Sequence, residues 1–102
     1  MPRRIQRQRT KGWRMPAGAV YVGRSTVFGN PFPISDRHPP HIAVERYRRW
    51  VSGFYPVFPG QLRDLHAALP RIKGRALVCW CRLDQPCHAD VLLELANREP
   101  KA

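Results

Sequence analysis

The stretch ALVCWCRLDQPCHADVLLELAN, residues 76–97, decides the fold of this chain, because its pattern changes from that of a strand to that of a helix. Residues 76–81 form a continuous, mainly apolar run, which is typical of a buried strand. The Pro-containing segment 83–86 predicts a turn. From about residue 87 to residue 97, apolar side chains repeat at helical spacing, so we expect a helix there.

Three cysteines and a histidine lie at the predicted junction of this strand and helix. Residues two apart on a strand share a face, so Cys79 and Cys81 should point to the same place. The turn should bring Cys87 and His88 to that place as well. One interpretation of the four side chains is a Cys₃His zinc site, although the spacing C-x-C-x₅-C-H is not a common zinc-finger pattern.

A second interpretation of the cluster is catalytic. A helix N-terminus favours a thiolate, so Cys87 would be the nucleophile, with His88 or His66 as the base and Asp90 as an orienting group. The same N-terminus with nearby Arg82 would also suit a phosphate. The third interpretation is that buried cysteines act as small apolar side chains.

The rest of the chain predicts one small domain. A short β-branched run at 19–22 indicates a second buried strand. Helical periodicity covers residues 40–52, with one apolar stripe of Ala43 or Val44, Tyr47, Trp50 and Val51. Leucines spaced three and four apart in 62–69 indicate another helix, which Pro70 ends. The predicted fold class is therefore α/β (or α+β), with a short central sheet covered by about three helices.

The 102 residues leave room for a single core. Residues 1–16 are interpreted as a basic N-terminal arm and residues 17–102 as the α/β domain. Within the arm, Ile5 alternates with polar neighbours and can begin an edge strand.

The charge is strongly positive and is concentrated near the N-terminus. The chain has 18 Lys and Arg against 7 Asp and Glu, and no acidic residue precedes Asp36. A nucleotide or nucleic acid is the natural partner of such a surface, and the alternative is a solvated basic face. The candidate phosphate-binding residues are Arg3, Arg4, Arg7, Arg9, Lys11, Arg14, Arg24 and Arg82.

The segment Gly29-Asn30-Pro31-Phe32 is a loop by its Gly and Pro content. The Asn30 amide could contact a base or sugar edge, so Asn30 joins the candidate nucleic-acid-binding residues. The alternative is a turn fixed by proline, with its phenylalanine in the core.

Cysteine usage and hydropathy restrict the location. Three cysteines within nine residues do not make a disulfide framework, so we expect a reducing cytoplasm. No apolar run approaches the roughly 20 residues of a membrane helix, and we expect no membrane partner.

Four stretches together resemble one known family of small domains. They are RTKGW at 9–13 with Met15-Pro16, GAVYVGR at 18–24, GNPF at 29–32, and CWC at 79–81 through CHADVL at 87–92. This combination is similar to the domain of unknown function family DUF4326, which is frequent in bacteriophages and actinobacteria. The resemblance implies a compact α/β domain of phage or prophage origin, in which the loop and the cysteine cluster form one site.

The leading hypothesis is a phage-type accessory protein that binds a nucleotide or nucleic acid, and the sequence leaves open whether it is an enzyme acting on nucleotides or bases. The alternative is a non-enzymatic, zinc-stapled basic module that binds nucleic acid or a host ribonucleoprotein. A host protein target is a third hypothesis.

Overall fold

A computed structural model describes residues 2–97 of the chain. Its elements follow the predicted order, with a 3-10 turn over Leu69–Arg71 after the second helix. They are β1 (Arg4–Gln6), β2 (Val20–Tyr21), α1 (Pro40–Val51), α2 (Pro59–Ala68), β3 (Leu77–Cys79) and α3 (His88–Ala96). The prediction of a small sheet covered by helices is confirmed.

The strand β3 is the centre of a three-stranded, fully parallel sheet of order β1-β3-β2. Leu77 pairs with Arg4 on one side and with Val20 on the other. All three β3 residues are buried, as expected of a strand covered on both faces. Because the strands are parallel, their carboxyl ends meet at one edge of the sheet, which we call the carboxyl edge.

Helix α1 supplies two of the four buried aromatic side chains of residues 2–97, through the stripe that its periodicity predicts. Ala43, Tyr47, Trp50 and Val51 are buried. The Tyr47 hydroxyl donates a 2.8 Å hydrogen bond to the carbonyl of Phe28, which satisfies its polar atom inside the core.

No helix among residues 2–97 is long and apolar enough to cross a membrane.

The segment predicted as an N-terminal arm is partly integrated into the sheet. Strand β1 lies within it, and the Arg7 amide donates a 2.7 Å hydrogen bond to the Cys79 carbonyl just beyond the strand. Residues 7–16 contain no helix or strand. Residues 4–6 therefore belong to the folded domain, and the sheet is incomplete without them.

Arg4 was a candidate phosphate contact, and the structure gives it a structural role instead. Its side chain is 9% exposed and lies 3.5 Å from the Asp90 carboxylate. One guanidinium nitrogen donates to the carbonyls of Leu83 and Gln85, at 2.9 and 2.8 Å. These charge-assisted hydrogen bonds join the exposed turn at residues 83–85 to β1, so this arginine fixes the turn before α3 to the sheet.

The loop at residues 29–32 is a built turn, not an open contact surface. The buried Asn30 side chain donates to the Ala43 carbonyl at 3.1 Å and accepts from the Phe32 amide at 2.8 Å. Arg24 donates to the carbonyls of Asn30 and Phe32. Asn30 thus fixes the loop to α1 with hydrogen bonds from both ends of its amide, and its contact with a ligand stays a prediction.

Substitution of Arg4 by alanine should destabilise the fold by about 1–2 kcal/mol, because two carbonyls of an exposed turn and a half-exposed carboxylate lose a charged hydrogen-bond partner. Arg3→Ala is the matched control, since Arg3 is its exposed neighbour, and should change stability by less than about 0.5 kcal/mol. Urea unfolding of both variants measures the difference. Equal stability of the two variants would contradict the role assigned to Arg4.

Substitution of Gly29 by alanine should cost about 1–3 kcal/mol, because the new Cβ would meet rigid backbone. That Cβ would lie 2.5 Å from the Arg24 carbonyl oxygen, whereas a Cβ on Gly60 would have only the end of the Arg63 side chain near it, at 3.9 Å. Gly60→Ala, at an unstrained position in α2, should therefore change stability by less than about 1 kcal/mol. Thermal unfolding of the pair checks this, and a neutral Gly29→Ala would mean that the close approach is absent.

Candidate functional site

A cavity of about 340 Å³ opens at the carboxyl edge of the sheet. The chain just after β3 contributes Trp80 and Cys81 to its lining, and the end of β2 contributes Tyr21 and Arg24. His88, the first residue of α3, completes the set of chemically active side chains. Ligands of open parallel sheets bind outside the carboxyl ends of the strands, so this cavity is the candidate site.

The three cysteines converge beside the cavity, as the strand spacing predicts. The sulfur atoms of Cys79, Cys81 and Cys87 all lie within 4.8 Å of one another, and those of Cys79 and Cys87 are 3.1 Å apart. All three are free thiols. We call them the thiol cluster. Three thiol sulfurs at this separation can hold a metal ion.

His88 lies against the thiol cluster but is not a member of it. Its Nε2 is 2.6 Å from the Val22 carbonyl oxygen, and since a carbonyl only accepts, Nε2 carries the proton. Its Nδ1 is therefore an acceptor and faces the Cys87 sulfur at 3.7 Å. The ligand atoms of the metal-competent group in residues 2–97 are those of the three cysteines, which all lie within 4.8 Å of one another, and the nitrogen atoms of His88 fall outside this group.

Cys87 is placed as a helix cap. It is 1% exposed, and its sulfur accepts the Asp90 amide while the Asp90 carboxylate accepts the Cys87 amide. Asp90 also pairs with Arg4, so it does not orient a catalytic base. The thiol that lines the cavity with partial exposure is Cys81, which the sequence interpretation passed over in favour of Cys87. The position of Cys81 just beyond a predicted strand end was the available signal.

The three thiols differ strongly in their affinity for a proton. The pKa of Cys81 is lowered because its sulfur accepts hydrogen bonds from the thiols of Cys79 and Cys87, and because Arg4 and Arg24 are positively charged. The pKa of Cys79 is raised, first by its hydrogen bond to Cys81 and then by a hydrogen bond to Cys87 and by burial. The pKa of Cys87 is lowered as well, first by its hydrogen bond with Cys79. Negative charge in the cluster therefore favours Cys81 and Cys87 over Cys79.

Next to the thiol cluster, arginines lie over aromatic rings. The Arg7 guanidinium is 4.9 Å from the centre of the Tyr21 ring and 5.0 Å from that of Trp80, and Arg9 is also 5.0 Å from Trp80. The Trp80 ring is 42% exposed. We call these four side chains the cation–aromatic surface. It borders a second, open hollow of about 660 Å³ whose walls also include residues 6–10.

The remaining candidate residues lie elsewhere. Arg3, Lys11 and Arg14 are exposed on the N-terminal segment. Arg82 is exposed and pairs with Asp84 at 2.7 Å. His66 contacts the Val51 carbonyl at 2.9 Å and takes no part in the cluster as a base.

Comparison with known proteins assigns the chain to a family but not to an activity. No curated protein and no solved structure matches it. The family model described as domain of unknown function (DUF4326) matches residues 5–98, a span that includes the buried loop, the thiol cluster and strand β1 from Ile5 onward. Since this match covers nearly the whole sequence, the chain belongs to the DUF4326 family.

Proposed function

We propose that this protein binds a nucleotide or a single-stranded nucleic acid along the carboxyl edge of its sheet. The observation that carries the proposal is the half-exposed Trp80 ring with the guanidinium groups of Arg7 and Arg9 beside it, next to a cavity lined by Arg24. Flat rings and arginines in alternation are the two components that unpaired nucleotides require.

The ring and the cations act together in this proposal. Each arginine is held on Trp80 by an attraction of about 0.5–1 kcal/mol at an exposed site, which a stacked base can exceed at about 1–3 kcal/mol. A base that takes the place of one guanidinium on the ring would release that cation toward the adjoining phosphate. Arg7 and Arg9 then neutralise phosphate charge at the same edge where the base is held.

The recessed position of the rings favours unpaired bases over a duplex. Tyr21 and Trp80 both line the cavity. A base that stacks on either ring must insert into this cavity with its edge first, and its face must be free of other bases. Bases inside a double helix are stacked on one another and do not offer their faces. Helix α3 begins at this edge, and its first two residues, His88 and Ala89, are buried.

A second candidate function rests on the thiol cluster, and we propose zinc as its metal. Three sulfur donors within 4.8 Å of one another suit a soft-ligand, tetrahedral ion. Such an ion would fix β3 to the start of α3 and so brace a domain whose sheet has only two- and three-residue strands. This is the zinc-stapled module, and it is compatible with nucleotide binding at the neighbouring surface.

Trp80→Ala should weaken the binding of a short single-stranded oligonucleotide by about 5- to 150-fold, which corresponds to the loss of one stacked base. Phe54→Ala is the matched control, because Phe54 is 75% exposed and lies between α1 and α2, outside the cavity lining. Fluorescence anisotropy with labelled single-stranded DNA and RNA gives the affinities. Equal loss in both variants, or tighter binding of duplex than of single strands, would contradict the proposal.

Deletion of the basic residues 1–14 would not isolate the contribution of their charge to ligand binding, because it would also remove strand β1. Point substitution of single basic residues is therefore the better test.

Reduced protein purified without chelators should contain about one zinc per chain, because three thiolates at the observed separation bind zinc strongly. Cys81→Ser removes the half-buried thiol at the cavity and should lower this content sharply while circular dichroism shows a folded chain. Elemental analysis of both proteins is the measurement. A metal-free wild type with three freely reactive thiols, from cells supplied with zinc, would rule out the second candidate.

A further inference from the structure

We infer that a metal ion in the thiol cluster keeps its fourth coordination position open to the cavity, where it takes a water molecule or a nitrogen or oxygen atom of the bound ligand. The inference rests on the proposed zinc site and makes it more specific. Structural zinc sites are closed by four protein ligands, whereas three protein ligands with one free position are the arrangement that catalytic zinc sites use.

The first step of the argument is the number of donors. Within residues 2–97, the group of side chains that could ligate one ion consists of three cysteines. His88 holds the Val22 carbonyl at 2.6 Å, and Asp90 is engaged by Arg4 and by the Cys87 amide. Closing the site with Asp90 would break these contacts. The bond to Val22 leaves the Nδ1 atom of His88 without a proton, but this atom, 3.7 Å from the Cys87 sulfur, lies outside the group of atoms that are all within 4.8 Å of one another.

The second step is direction. Cys79 and Cys81 line the cavity, whereas Cys87 lies behind them at the start of α3. An ion at the thiol cluster therefore has sulfur on its protein side and the 340 Å³ space on the other. The free position of a tetrahedral ion points away from its three sulfur ligands, which here means into the cavity.

The third step is charge. Three thiolates and one divalent ion leave one net negative charge, which needs a cation nearby when it is buried. Arg4 lies beside Cys87 and Cys79, and one of its guanidinium nitrogens is buried without a hydrogen-bond partner. A sulfur that carries the negative charge of a metal–thiolate group is the acceptor that such a nitrogen requires.

The walls of the cavity indicate the class of ligand. Tyr21 and Trp80 contribute aromatic rings, and Arg24, although held by the carbonyls of Asn30 and Phe32, keeps a fixed positive charge in the cavity wall. A heteroaromatic base with an attached phosphate matches both, and its ring nitrogen, carbonyl or phosphate oxygen can reach the ion. The metal would thus take part in nucleotide binding and would supply a polarising, Lewis-acidic contact to the ligand.

Cobalt(II) makes the free position visible. The reduced, metal-free full-length protein is loaded with cobalt, and its visible d–d bands and its sulfur-to-cobalt charge-transfer band are recorded during a titration with azide. We expect a saturable shift of the d–d bands with the charge-transfer band retained, because azide replaces water and leaves the three thiolates in place. The zinc-loaded protein is the blank, since zinc is d¹⁰ and has no such bands.

His88→Gln tests the alternative of a closed site, because glutamine keeps an N–H group that can donate to the Val22 carbonyl. We expect its cobalt spectrum and azide response to equal those of the wild type. A wild-type spectrum that ignores azide, or one that changes in His88→Gln, would mean that the ion is closed by protein and would overturn this inference, while the zinc proposal stands. Failure of the reduced wild type to bind cobalt at all would overturn both. If the variant does not fold, the wild-type titration decides alone.

Discussion

The parallel pairing of β3 between β1 and β2 is the constraint on which the rest of the molecule depends. Parallel strands require crossover connections, and these place helices on the sheet and bury its central strand on both faces. Parallel pairing also brings the carboxyl ends of the three strands, and the residues that directly follow each strand, to one edge of the sheet. The thiol cluster, the cavity and the cation–aromatic surface are neighbours for that reason, although Arg7 and Cys81 are far apart in the sequence.

Several residues that the sequence suggested as ligand contacts form hydrogen bonds with backbone polar groups of the fold. Short strands leave many turn carbonyls without a partner in the sheet, and such carbonyls are costly when buried. Arg4 and Arg24 supply the donors for the turns at 83–85 and 30–32, and Asn30 anchors its loop to α1. A basic or amide side chain near a predicted turn is therefore ambiguous, since the turn itself needs what the side chain offers.

The sequence predicted what periodicity and spacing control. The stripe of Tyr47 and Trp50, the order of the elements and the meeting of the cysteines follow from patterns within one segment. The sequence did not predict the contacts that a side chain makes with residues far away in the chain. Whether Arg4 faces water depends on the pairing of β1 with β3, and the engagement of His88 depends on a carbonyl 66 residues away. Local patterns contain no information on such contacts, so the role of candidate nucleophile went to Cys87, which is buried, and not to the partly exposed Cys81.

The charges at the carboxyl edge form a coherent arrangement. The negative charge of the thiol cluster lies on the side next to Arg4 and Arg24, which offset it at short range. Arg7 and Arg9 lie further out, over aromatic rings, where no carboxylate is their partner in the described contacts of residues 2–97. The inner pair, Arg4 and Arg24, interacts with backbone carbonyls and with the thiols. The outer pair, Arg7 and Arg9, is held only by weak contacts with aromatic rings. An anionic ligand that reaches this edge meets the outer pair first, and it can recruit them without breaking any bond that stabilises the domain.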